Sequence, residues 1–114
     1  AIIEPFQELE NQGYELVYLP IDSTGRVKLG EAERLISEET LLVSVQAASN
    51  EIGTLQPIQK LAQLTHARGA IFHTDAAQAV GKVPVDVYAW DVDLLSISSH
   101  KLYGPKGVGA LYIK

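Results

Sequence analysis

Apolar and polar residues follow two different periods along this chain. Apolar residues at helical spacing predict three helices, at residues 1–12, 29–37 and 57–68. Mostly apolar runs of strand length predict five strands, at residues 14–19, 40–46, 70–75, 92–98 and 109–113. Gly13 and the Arg68-Gly69 pair suit the carboxyl ends of the first and third helices. The cluster Asp22-Ser23-Thr24-Gly25 predicts a turn.

Strands that alternate with helices predict an α/β fold with a mostly parallel sheet and helices on both of its faces. No repeat, low-complexity tract or linker interrupts the pattern, so residues 1–114 form one continuous unit. In sheets of this kind, ligands bind at the carboxyl ends of the strands. The chemistry is therefore expected in residues 46–53, 74–81 and 98–109.

Composition narrows the class of protein. With 46% hydrophobic and 20% charged residues among 114, the chain is typical of a globular protein with one core. Its net charge of −5 argues against a nucleic-acid partner, and no apolar run approaches the roughly 20 residues that cross a membrane. The chain has no cysteine, which excludes disulfides, thiolate metal sites and a thiol nucleophile within it. It also has no methionine, even at position 1, which indicates a fragment of a longer protein.

Lys101 follows the predicted strand 92–98, among small and polar residues. Burial at a strand end disfavours the ammonium form of a lysine and lowers its pKa, which yields the free amine that carbonyl chemistry needs. Taken by itself, the same position also suits an ordinary surface lysine in a loop. Lys101 is therefore a candidate whose weight depends on its neighbours.

Asp75 ends the preceding predicted strand. A carboxylate at this point could pair with a protonated pyridine nitrogen and keep the ring an electron sink. It could equally cap the helical turn that follows. One crossover between neighbouring strands would bring Asp75 and Lys101 to the same edge of the sheet.

Four more polar residues follow strand ends in the same way. Gln78 lies one helical turn after Asp75, and Ser98 and His100 have the spacing of one strand face. A hydroxyl and an imidazole are suitable donors to a phosphate oxygen, and Asn50 could donate to a ring oxygen. Three of them also have a plain structural interpretation: Gln78 as an exposed amide, His100 as a structural histidine and Asn50 as a turn former.

The remaining histidines and glycine-rich segments predict no further functional site. His66, near a helix end, is expected only to complement the helix dipole, and His73, inside a strand, is expected to be packed, not catalytic. The chain has neither GxxxxGK[ST] nor a GxGxxG that opens a helix, which argues against nucleotide binding. No metal site is expected.

Three segments resemble one known family. They read ASNEIG at residues 48–53, HTDAAQAVGK at residues 73–82 and SSHKLYGPKGVGALY at residues 98–112. In this order and spacing they resemble the cysteine desulfurases, which belong to the class V aminotransferase group of fold-type I enzymes that depend on pyridoxal 5'-phosphate (PLP). The resemblance extends over essentially the whole chain.

The resemblance implies a role for each candidate residue. Lys101 would hold PLP as a Schiff base and move protons, and Asp75 would pair with the pyridine nitrogen. Gln78 would reach the phenolic oxygen, and Asn50 would lie near the ring or the substrate carboxylate. Ser98 and His100 would bind the phosphate.

The resemblance also implies an activity and a setting. Such enzymes convert L-cysteine to L-alanine and pass the sulfur to an enzyme cysteine as a persulfide, for iron–sulfur cluster or thio-cofactor assembly. A homodimer, a sulfur-acceptor or scaffold protein as partner, and a cytoplasmic location are expected.

Three features of the family are missing from residues 1–114. They are the persulfide-forming cysteine, the early phosphate-binding turn and the histidine that stacks on the ring. The chain is therefore expected to be the central part of one PLP-binding large domain, with little or no turnover by itself. Other class V enzymes remain alternatives: a selenocysteine lyase, a cysteine sulfinate desulfinase or a small-amino-acid aminotransferase. A structural domain without cofactor is the alternative from a different class.

Overall fold

The computed structural model describes residues 3–48, 55–76, 86–98 and 109–114. In these ranges the chain forms helices and strands in the order α1 (Ile3–Asn11), α2 (Leu29–Leu35), β1 (Leu42–Gln46), α3 (Ile58–Ala67), β2 (Ile71–Asp75), α4 (Val87–Trp90), β3 (Leu94–Ser98) and β4 (Gly109–Ile113). The short helix α4 was not predicted. Asp86 caps it by accepting hydrogen bonds from the amides of Tyr88 and Ala89.

The strands form one sheet in the order β1-β2-β3-β4. The pairs β1–β2 and β2–β3 are parallel, whereas β4 runs antiparallel to β3. Helix α3 packs against β2, and α2 and α4 pack against α3. The predicted α/β class with a mostly parallel sheet is confirmed.

The core lies between α3 and one face of the sheet. Alternate residues of the strands are buried there, as expected for a strand whose successive side chains point to opposite faces. The sheet contributes Val43, Val45, Phe72, Thr74 and Leu95. The facing side of α3 contributes Ile58, Leu61, Ala62 and Thr65. The opposite face of the same strands carries the partly buried polar residues that form the candidate site.

Two helix ends follow the predicted glycine signals. Gly13 has φ of 101° just after α1, and Gly69 has φ of 78° just after α3. Both values lie in the left-handed region, which glycine adopts without steric cost. The predicted turn at residues 22–25 is also present, because the Asp22 carboxylate accepts hydrogen bonds from the Thr24 amide and hydroxyl.

The strand predicted at residues 14–19 is wrong. This segment belongs to no ladder, and the nearest pairing is an isolated bridge between Ile21 and Val27. Tyr14 and Tyr18 are 54% and 59% exposed. An apolar run becomes a strand only where a neighbouring strand accepts its hydrogen bonds, and no strand among the described residues does so here.

In the part of the chain that the structure describes, no helix has the length and apolar character of a membrane span.

Candidate functional site

The carboxyl ends of three parallel strands meet at one edge of the sheet. Strand β1 ends there with Gln46, β2 with Asp75 and β3 with Ser98. Asp75 pairs in register with Gln46 on one side and with Ser96 on the other. The prediction that β2 and β3 are neighbours on one crossover is confirmed, so Asp75 lies beside the strand that leads towards residue 101.

The backbone of Asp75 is fixed to both neighbouring strands. Its carbonyl oxygen accepts a hydrogen bond from the Ala47 amide at 2.9 Å. The next residue, Ala76, donates its amide to the Ser96 carbonyl oxygen, also at 2.9 Å. These two bonds continue the sheet beyond the last residue of β2, so the Asp75 side chain is held on a rigid support.

Alternation along β2 decides the face on which Asp75 lies. Phe72 and Thr74 are fully buried in the core, and the Thr74 hydroxyl donates to the Val45 carbonyl oxygen at 2.7 Å. His73 and Asp75 therefore lie on the opposite face, where both are partly buried. The charge of Asp75 is close enough to His73 to act on the pKa of its imidazole.

His73 is packed, as predicted from its place inside a strand, but its hydrogen bonds were not foreseen. Its Nδ1 lies 2.7 Å from the Ser44 hydroxyl oxygen on β1, and its Nε2 lies 3.1 Å from the Ser96 hydroxyl oxygen on β3. Burial lowers the pKa of His73, and the neighbouring Asp75 charge offsets part of that effect. The ring is thus neutral near pH 7.

Most of the other predicted site residues lie outside the described part of the chain. These are Asn50, Gln78, His100 and Lys101. For Ser98 the structure describes the backbone alone, at the end of β3 and two residues beyond the register partner of Asp75. Their roles stay predictions.

His66 does more than complement a helix dipole, so that prediction is incomplete. Its Nε2 lies 2.6 Å from Asp93 Oδ2, and its Nδ1 lies 3.3 Å from Asp91 Oδ2. Lys114 extends the group, with its Nζ 2.7 Å from Asp91 Oδ1. This cluster precedes β3 and so lies at the end of the sheet opposite Asp75. Sequence spacing gave no signal for it, because its members come from three separate segments.

Asp75 offers one of the contacts that a PLP ring would need. Carboxylate oxygens accept hydrogen bonds, and a carboxyl group on a fixed strand end would suit a protonated pyridine nitrogen. Among the described residues, no cluster of three or more His, Asp or Glu could hold a metal ion.

Comparison with known proteins identifies relatives over the whole chain. The family model described as "Aminotransferase class-V" matches residues 1–114. The chain is 50% identical over 114 residues to the mitochondrial cysteine desulfurase of Drosophila melanogaster, covering 100% of this chain and 25% of that protein. It is 51% identical over 114 residues to the cysteine desulfurase IscS of Clostridium botulinum, covering 100% of this chain and 29% of that protein. The chain thus spans about a quarter of the length of these relatives.

Solved structures share the fold. A NifS-like protein superimposes with a TM-score of 0.94 at 42% sequence identity, over 99% of this chain and 32% of the other. The structure of SspA in complex with cysteine gives a TM-score of 0.93 at 38% identity, over 98% of this chain and 32% of the other. The fold of this chain is therefore also found as part of larger proteins of known structure.

Proposed function

The chain belongs to the aminotransferase class-V family, and on that premise we propose that it is the central part of the PLP-binding large domain of a cysteine desulfurase. The whole enzyme would convert L-cysteine to L-alanine and pass the sulfur on as a persulfide. The observation that carries the proposal is the position of Asp75, partly buried at the end of β2 and in register with β3, the strand that leads to Lys101.

Asp75 is assigned to the pyridine nitrogen of PLP. A carboxylate at this nitrogen keeps it protonated, and the bound cofactor then supplies an electron sink for the substrate Cα. The hydrogen bonds of residues 75 and 76 to both neighbouring strands keep the carboxylate in place, so little reorganisation is needed.

The residues after the other strand ends are assigned by resemblance. Lys101 would anchor the cofactor through Nζ and then move a proton at the substrate Cα. Ser98 and His100 would donate hydrogen bonds to the phosphate, Gln78 would donate to the phenolic oxygen, and Asn50 would lie near the ring or the substrate carboxylate. The register of β2 with β3 supports this division, because it sets Ser98 beyond Asp75 on the neighbouring strand.

L-cysteine is proposed as substrate. Relatives at 50% and 51% identity are named cysteine desulfurases, and SspA was solved with cysteine. Because residues 1–114 include no cysteine, the persulfide-forming thiol is assigned to a part of the enzyme outside this chain. A homodimer, a sulfur acceptor or scaffold protein for iron–sulfur assembly, and a cytoplasmic location complete the proposal.

The experiment uses the full-length, PLP-loaded enzyme with L-cysteine, and measures alanine formation and sulfur release. We expect Asp75→Asn to lower kcat by at least about 100-fold, because the group that keeps the ring nitrogen protonated is lost. The matched control is Asp22→Asn, which changes a carboxylate in an exposed turn and should leave kcat within about twofold.

Two results would refute the proposal. One is an Asp75→Asn enzyme as active as Asp22→Asn. The other is a wild-type enzyme that processes cysteine sulfinate, selenocysteine or a small amino acid far faster than cysteine, which would assign it to another branch of the family.

A further inference from the structure

A row of three polar side chains crosses the face of the sheet opposite the core, next to Asp75. Ser44 on β1, His73 on β2 and Ser96 on β3 are joined by hydrogen bonds of 2.7 Å and 3.1 Å through the two ring nitrogens of His73. All three side chains are partly buried. The row thus links three parallel strands by side chains, in addition to their backbone ladders.

The row has a direction, because a neutral imidazole donates from one nitrogen and accepts at the other. Burial lowers the pKa of His73, so the neutral ring predominates near pH 7. Either Ser44 donates to Nδ1 and Nε2 donates to Ser96, or both bonds run the other way. The first direction leaves the Ser96 hydroxyl proton available to another acceptor.

Asp75 favours the first direction. It lies on the same face as His73, two residues further along β2 and thus roughly 6–7 Å away along the strand. It is also the register partner of Ser96. A negative charge on the Ser96 side attracts the donor end of the row, and the charge of Asp75 does act on the His73 ring.

We propose that His73 is a positioning residue for the cofactor site: through Ser44 and Ser96 it joins β1 and β3 to β2 two residues before Asp75, and so fixes the position of the carboxylate that pairs with the pyridine nitrogen. The proposal rests on the proposed function and adds three residues that the sequence motifs did not assign to it. In this role His73 acts through the strands that flank Asp75, and not by touching substrate or cofactor.

The test uses the full-length enzyme and two readouts other than turnover. One is the pH at which the absorption of the lysine-bound cofactor changes, and the other is the rate at which PLP dissociates. We expect Ser96→Ala and His73→Leu each to shift the absorption midpoint by about one pH unit and to speed PLP dissociation about tenfold. His73→Gln, whose amide can still donate to Ser96, should restore most of both values.

Thr74→Val is the matched structural control, because the Thr74 hydroxyl bonds to the Val45 carbonyl on the opposite face of the same strand. It should lower thermal stability and leave the absorption midpoint unchanged. If His73→Leu does not fold, the absorption midpoint and the PLP dissociation rate of Ser96→Ala alone test the proposal.

The proposal is overturned if Ser96→Ala binds PLP with a wild-type absorption midpoint and dissociation rate, or if Thr74→Val shifts the midpoint as much. A wild-type enzyme that takes up no PLP would instead overturn the proposed function. The tautomer is open to a direct check, since ¹⁵N NMR of the cofactor-free enzyme should show the His73 proton on Nε2.

Discussion

Nε2 of His66 lies 2.6 Å from Oδ2 of Asp93, and the same oxygen accepts the Phe72 amide hydrogen at 2.8 Å. The carboxylate of Asp93, which lies just before β3, thus joins the carboxyl end of α3 to the start of β2. The Asp93 carbonyl oxygen also accepts the Lys114 amide at 2.8 Å, which adds the end of β4. The order of the strands is therefore fixed at the end of the sheet opposite the candidate site.

We expect His66→Ala to destabilise the full-length enzyme by about 1.5–3 kcal/mol, because it removes hydrogen bonds to a charged and partly buried partner. Gln63→Ala, on the exposed side of the same helix, is the matched control and should change stability by less than about 0.5 kcal/mol. Denaturant midpoints measure both. Equal midpoints for the two variants would show that the pair contributes nothing to stability.

The same cluster predicts a loss of stability in acid. Burial raises the pKa of Asp93, but the hydrogen bonds from the Phe72 amide and the His66 ring outweigh it, and the net pKa lies below the ordinary value. A carboxyl with a lowered folded-state pKa stabilises the fold above its unfolded pKa of about 4, and this contribution is lost as the pH falls through the folded-state value.

Thermal midpoints of wild type and Asp93→Asn, recorded from neutral pH down to about pH 3, test this directly. The wild type should be more stable near neutrality, and the gap should narrow below about pH 4. A gap that stays constant over the whole range would contradict the assignment.

Phe72 should be the most sensitive position of the sheet. Its side chain is fully buried between β2 and α3, so Phe72→Ala should cost about 3–5 kcal/mol of unfolding free energy. Its neighbour Ile71 is 50% exposed, and Ile71→Ala should cost about 1 kcal/mol or less. Similar losses in the two variants, measured by denaturant unfolding, would mean that the alternation along β2 is wrongly assigned.

Local signals in the sequence predicted most of the fold. Helix ends were marked by Gly13 and Gly69, and the apolar run before Gln46 became a parallel strand, because these signals act through a residue's own backbone. The run at residues 14–19 carried the same apolar signal and formed no strand. Pairing depends on a partner elsewhere in the chain, which the local pattern does not encode.

The candidate site also has features that the sequence predicted and features that it did not. Asp75 was predicted from its place at a strand end, and the sheet order that sets it beside β3 followed from the alternation of elements. The hydrogen bonds of His73 to Ser44 and Ser96 could not be predicted, because they depend on the register between three strands. His66 and Asp93, 27 residues apart, were missed for the same reason.

We propose that Asp75 and Lys101 bind opposite parts of one PLP molecule. The decisive measurement is borohydride reduction of the PLP-loaded, full-length enzyme, followed by digestion and mass spectrometry. We expect one reduced pyridoxyl group on Lys101, its loss in Lys101→Ala, and its retention in the matched control Lys106→Ala. A Lys101→Ala enzyme that still forms a reducible adduct at the wild-type stoichiometry would show that another residue holds PLP.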